Sequence, residues 1–354
     1  MIRIEKKSII NPLTLNFFKI ISFFIGVFIS TLVLKVFSIN ITDFLKDIFV
    51  DAFGSKYAIS ETFLKTIPLI ICGIGVSLAF KMKLWNIGAE GQLYIGALGS
   101  TLVALYFKTD SSFFMLSIMF LVAFILGGLW SSFAGLLKTK LNINEIIVTL
   151  LMNYIAILFI NYLVYGPLKD PDGFNFPYSK KFPPQAALST LFDTRLHTGI
   201  ILAIILLIVY YILVERSIWG YEIRVIGSNP KAAKYAGINI NRNVMLVMFL
   251  SGGISALAGF TETAGVINRL QHSISPGYGY TAIIIAWMSG QKTFGIFLYS
   301  FFMAVIFIAG DTLQLNYQLP ISMVNTFQGI ILFVILISEF LLNHKISFKR
   351  RKDD

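Results

Sequence analysis

Apolar residues run along this chain in blocks too long for the core helices of a water-soluble domain. A bilayer core needs roughly 20 apolar residues per crossing helix. Such blocks fall at about 17–37, 60–80, 86–106, 113–137, 144–166, 197–214, 244–265 and 321–342. The run 279–310 is too long for one helix and is interrupted at Gly290-Gln291-Lys292-Thr293, which divides it into a short segment near 279–290 and a span near 293–310. The pattern predicts an all-α polytopic membrane protein with about ten transmembrane segments, one of them short and broken or re-entrant. An even number places both termini on one side. Residues 1–16 are then a cytoplasmic N-terminus, 17–342 a single transmembrane domain and 343–354 a basic cytoplasmic tail. The first block is long enough to span and has no A-x-A-like site after it, so it is expected to remain as a helix. Residues 43–53 alternate acids with apolar residues at helical spacing and are placed along the outer interface. The loop 167–196, with Pro167, Pro171, Pro177, Pro183 and Pro184, reads as external, irregular and solvent-facing.

Composition narrows this further. Apolar residues make up 56% of the 354 and charged residues 13%, about half the share usual in soluble domains. The net charge of +11 follows topology and does not point to nucleic acid. With both termini inside, 18 of the 29 basic residues face the cytoplasm, as the positive-inside rule expects. The single cysteine, Cys72, excludes a disulfide framework or a cysteine-based metal site. No phosphate loop, HExxH pair or nucleophile elbow is present, so the chain is expected to carry no covalent chemistry, metal or cofactor of its own. Small residues recur every four positions at Gly127, Ser131 and Gly135, and again at Ser251, Ser255, Gly259 and Thr263, a spacing that lets helix backbones approach closely in a membrane.

Three stretches carry more than packing. In Trp85-Asn86-Ile87-Gly88-Ala89-Glu90-Gly91-Gln92, followed by Tyr94, polar and ionisable groups interrupt an apolar span. At depth such groups face a cavity or a partner; near a surface they would form a capped interfacial turn. Ser275-Pro276-Gly277-Tyr278-Gly279-Tyr280-Thr281 opens the short segment, which must be packed in protein; Glu262 precedes it as a second candidate cavity-facing acid. In the cytoplasmic loop 215–243, Asn229 is a good N-cap, Pro230 suits the first helical position, Ala232, Ala233 and Ala236 favour helix, and Gly237 supplies a stop. This two-turn helix is marginal alone and needs a surface, either a partner protein or lipid headgroups.

With WNIGAEGQLYIGA at 85–97, RVIGSNPKAAKYAGI at 224–238 and PGYGYTAIIIAWMSG at 276–290 in this order, the chain resembles the permease subunits of bacterial ABC importers. It is most similar to the nucleoside permeases that work with Bmp-type lipoproteins, within the branch shared with ribose and branched-chain amino acid permeases. The resemblance implies half of a translocation pathway in the inner membrane for a nucleoside or related sugar. It implies that 229–236 is a coupling helix, with Arg224, Gly227, Asn229, Pro230, Ala232, Ala233 and Gly237 forming the seat for an ATPase subunit that binds ATP. It also implies that Asn86, Glu90, Gln92, Tyr94, Glu262, Tyr278 and Tyr280 border the pathway. A second homologous permease and an extracytoplasmic solute-binding lipoprotein are the further partners expected. An ion-coupled transporter using Glu90 or Glu262 as a proton relay is the alternative, and a membrane enzyme acting on lipid-linked sugars a third.

Overall fold

The computed structural model describes residues 2–6, 21, 25–32, 34 and 39–348. In chain order the elements are β1 (Ile2–Lys6), α1 (Ile41–Phe53), α2 (Lys56–Lys81), α3 (Ala89–Tyr106), α4 (Ser112–Leu141), α5 (Glu145–Tyr165), α6 (Gly199–Tyr210), α7 (Ile218–Ser228), α8 (Pro230–Tyr235), α9 (Ile240–Glu262), α10 (Tyr278–Met288), α11 (Thr293–Leu315), α12 (Ile321–Asn343) and β2 (His344–Phe348). Wide π turns continue α6 over Tyr211–Arg216 and α9 over Thr263–Ile267. Asparagines punctuate the helices. Asn40, Asn144, Asn229 and Asn239 accept backbone N–H groups at the starts of α1, α5, α8 and α9. Asn142 ends α4 in the left-handed region. Of the first expected span, residues 25–32 are helical and most of the remainder lies outside the described residues, as does the tail from 349 onward.

Among the described residues six helices are long and apolar enough to cross a membrane, counting α6 and α9 with their π turns. The segments α10 and Ile321–Ile331 are apolar but shorter. Helix α3 is not among the six. Its first turn carries Glu90 and Gln92, and it is enclosed by protein over nearly its whole length, so it does not need a lipid-compatible surface.

The chain divides into two compact units, Ile59–Ala304 and Met1–Ala58 with Val305–Asp354. In the first unit α9 is central. The expected small-residue face of α4 packs on α9 there, but against Gly252 and Ala256: a methyl group added at Gly252 would lie 2.2 Å from Ser131 Cβ, and one at Gly127 2.1 Å from Ala256 Cβ. The expected face of α9 turns instead to α2 and α3, with Ser251 bonded to Gly75 O. On the other side of α9, Gly259 lies against Leu93 of α3, where an added carbon would be 2.0 Å from the carbonyl oxygen. Helices α2 and α9 are mostly buried in the unit, whereas α4, α5 and α6 leave most of their length open, a division into inner and outer helices.

In the second unit, Phe44 of α1 packs edge-on against Tyr317 (5.8 Å) and Phe327 (5.7 Å). The Tyr317 hydroxyl donates to Asp47 at 2.6 Å, and Thr312 and Asn316 donate to Asp51 at 2.7 and 3.2 Å. Helix α1 exists as the spacing predicts, and two of its acids are engaged by protein groups. The strands β1 and β2 pair antiparallel, Ile2 opposite Phe348 and Lys6 opposite His344. This pairing adds a small sheet to an otherwise helical fold and was not foreseen: Ile2 and Ile4 alternate with Arg3 and Glu5, and Ile346 and Phe348 flank Ser347, but the two short runs lie at opposite ends of the chain.

The loop 167–196 is less solvent-facing than expected. Phe182, Ala186 and Leu196 are buried. The backbone of Ser179 donates to Leu270 O at 2.8 Å, that of Phe182 to Asn268 O at 2.9 Å and that of Leu188 to Ala264 O at 2.8 Å. The carbonyls left by the π turn at the end of α9 need donors once buried, and this loop supplies them.

Candidate functional site

The first turn of α3 is held by a closed set of amide hydrogen bonds. Asn86 Nδ2 donates to Gln92 Oε1 at 3.1 Å and to Ser251 Oγ at 2.8 Å, while Gln92 Nε2 and the Gly88 N–H both donate to Asn86 Oδ1 at 2.9 Å. Ser251 in turn donates to Gly75 O at 2.6 Å. From α5, Asn153 accepts from the Gly91 N–H at 2.8 Å and donates to Ile87 O at 2.8 Å, and Thr149 Oγ1 accepts from the Ile87 N–H at 3.2 Å. Thus α2, α3, α5 and α9 are joined through one polar knot. Buried polar groups are tolerable only when paired in this way.

Glu90 stands beside this knot, 2% exposed. Its Oε2 accepts from the Gly279 N–H at 2.7 Å, so α3 supplies the cap for the start of α10. Ser275 Oγ completes that cap, accepting from Gly277 N–H at 3.0 Å and Tyr278 N–H at 2.9 Å. The two helices touch backbone to backbone: a carbon added at Gly279 would lie 2.2 Å from Glu90 N. At 11 residues, α10 is about 16 Å long, half the depth of a bilayer core. At its far end Trp287 meets Trp85 at 5.1 Å, and Trp85 meets Phe80 at 4.9 Å. The short helix therefore rests along the 85–90 segment at both ends.

The cytoplasmic-loop motif folds as two helices, α7 and α8. Asn229 caps α8 with two bonds of 3.1 Å, from the Lys231 and Ala232 N–H groups, and Pro230 occupies its first position. Gly237 closes it at φ +76° while the Ile238 N–H bonds back to Ala233 O at 3.0 Å. Ala233 is buried, and Lys231, Ala232, Lys234 and Tyr235 face outward. Helix α7 was not foreseen, being only 11 residues long and mixed in polarity. It seats α8: a carbon added at Gly227 would lie 2.7 Å from Lys81 O, and the Arg224 guanidinium donates to Val214 O at the π turn after α6. In that turn Glu215 accepts from the Thr293 N–H (2.7 Å) and hydroxyl (2.6 Å), capping α11. Contacts thus run from α8 through Gly227 to Lys81, and six residues along the chain lies Ile87, held by the polar knot.

Compared with known proteins, the chain matches the family described as the branched-chain amino acid transport system / permease component over residues 58–336. It belongs to this family. Similar relatives include a glucose ABC transporter permease protein of Haloferax volcanii, 33% identical over 86% of this chain and 83% of that one. A guanosine ABC transporter permease protein of Bacillus subtilis is 28% identical over 89% of this chain and 91% of its own. A nucleoside ABC transporter permease protein of Lactococcus lactis is 27% identical over 90% of each. No solved structure matches.

In this permease component the structure gathers Asn86, Glu90, Gln92, Tyr278 and Tyr280 around one place, and Tyr94 lies beside Ser275. Glu262 belongs to a second cluster, with the charges of Lys65 and Arg195 nearby; Arg195 also pairs with Glu61 at 3.3 Å. Thr149, Asn153, Ser251 and Ser275 complete the site; Thr149 and Asn153 were missed, Ser251 was assigned to packing alone, and Ser275 stood in its motif without a role. Of these, Thr149 and Asn153 carried a usable signal: two polar residues four apart on one face of an otherwise apolar span.

Proposed function

We propose that this multi-pass membrane protein is the transmembrane permease subunit of an ATP-binding cassette importer in the cytoplasmic membrane, forming half of a pathway for a nucleoside or related sugar. About ten segments span the bilayer, with both termini in the cytoplasm. An ATPase subunit binds and hydrolyses ATP and seats α8 through the Asn229–Gly237 surface. A second homologous permease completes the pathway, and an extracytoplasmic lipoprotein delivers the solute. The observation that carries this reading is the family match over nearly the whole bundle, with relatives named as ABC permeases for glucose, guanosine and nucleosides. The mechanical connection from α8 through Gly227 to Lys81 supplies a route by which motion of the ATPase would reach the Glu90 region.

The test is isolation of the co-expressed permeases and ATPase. The complex should hydrolyse ATP faster when solute-loaded binding protein is added. An Asn229→Asp/Gly237→Val double variant should lose that stimulation and release the ATPase. A variant that keeps both would remove α8 from the coupling role.

A further inference from the structure

Four tyrosines surround the meeting of α3, α5 and α10, and they differ in what they face. Tyr94 and Tyr278, at 4% and 5% exposure, are closed inside the bundle. Tyr280, in the first turn of α10, is 36% exposed, and Tyr154 of α5 is 56% exposed. Tyr280 has Asn153, Glu90 and Tyr154 as polar neighbours.

The depth of Tyr154 matters. It is the tenth of the 21 residues of α5, so it leaves the helix near mid-span. Tyrosines that face lipid belong at the headgroup level, where Tyr162 and Tyr165 near the end of α5 fit. In the middle of the hydrocarbon a phenol finds no hydrogen-bond partner and is costly. Tyr154 and Tyr280 therefore face a polar space.

The backing is rigid, since Asn153 and Glu90 are fixed by the bonds described above. The Glu90 carboxylate is taken up by Gly279, Tyr280 and Ser275, so the open groups are two phenols, with no formal charge among them. An amino-acid zwitterion would leave both its charges unpaired there. A neutral solute with a flat face and hydroxyl donors matches, because every base has a π-face that stacks on an aromatic ring.

We propose that Tyr154 and Tyr280 are the solute-contacting pair of the pathway, and that they select a nucleoside over an amino acid. This rests on the importer reading above.

The test uses the complete importer in proteoliposomes, with guanosine and leucine as probes. Tyr154→Leu and Tyr280→Leu should raise the KM for guanosine roughly tenfold or more, while the Phe variants stay near wild type and ATPase assembly is unchanged. Wild-type KM in both Leu variants, or transport of leucine in preference to guanosine, would overturn the proposal. Should the Leu variants not assemble, Tyr154→Cys and Tyr280→Cys decide. Both should react with a water-soluble maleimide, and guanosine but not leucine should slow the reaction; inert thiols, or labelling indifferent to guanosine, overturn it. Absence of ATP-driven uptake of any probe by the wild type would count against the importer reading instead, and the thiol labelling would still report on the pair.

Discussion

At the scale of single residues, the contact between Gly279 and Glu90 sets what the site tolerates. A side chain at Gly279 would enter the Glu90 backbone, and backbone cannot yield as a flexible side chain can. Gly279→Val is expected to cost at least about 1–3 kcal/mol and to lower the thermal unfolding midpoint in detergent. Gly329→Ala, which meets open space, should leave the midpoint unchanged or slightly raised. A second residue gives a pH dependence. His197, in the loop ahead of α6, is buried beside Gly199 and Gly265, and burial lowers its pKa from the ordinary 6.5 to about 4. The folded chain therefore refuses a proton that the unfolded chain accepts. Stability is complete above about pH 6.5 and falls as pH drops from there towards 4, by at most about 1.4 kcal/mol per pH unit. Unfolding midpoints measured at pH 7.5 and 5 should show this loss, and His197→Gln should flatten it. Asn86, Glu90 and Gln92 were legible because polar groups stand out in an apolar run. Thr149 taken singly reads as packing, since threonines in membrane helices commonly bond back to their own turn, as Thr149 does to Glu145 O at 2.7 Å; only its spacing from Asn153 marks it.

Among the elements, α8 was readable at both ends because its stop and start signals are local: Asn229 with Pro230, then Gly237. What it rests on was not readable, because α7 is short and its docking depends on Gly227 meeting a distant carbonyl at Lys81. Removing the cap with Asn229→Ala should cost about 0.5–2 kcal/mol. Hydrogen exchange should then rise across 230–236 while the α9 core stays protected. The same contrast holds for α10. Its shortness was visible in the interruption at 290–293, but its support by Glu90 at one end and Trp85 at the other is a matter of tertiary pairing. Helix α1 shows the limit of periodicity: its amphipathic spacing was clear, yet the partners of Asp47 and Asp51 lie more than 250 residues away in sequence.

For the whole molecule, hydropathy located the bundle because lipid leaves the backbone no partner but itself, so spans must be helical. Charge bias suggested orientation separately, through the excess of Lys and Arg in cytoplasmic loops. Hydropathy alone would have undervalued α3, whose polar first turn is affordable only because other helices enclose it. The central claim is that this bundle moves a solute at the expense of ATP hydrolysed by a partner. The most direct measurement is guanosine uptake into proteoliposomes holding both permeases and the ATPase, with binding protein outside and ATP enclosed. The account predicts uptake that requires enclosed ATP and persists when ionophores collapse every ion gradient. Uptake that proceeds without ATP and vanishes with the proton gradient would contradict it.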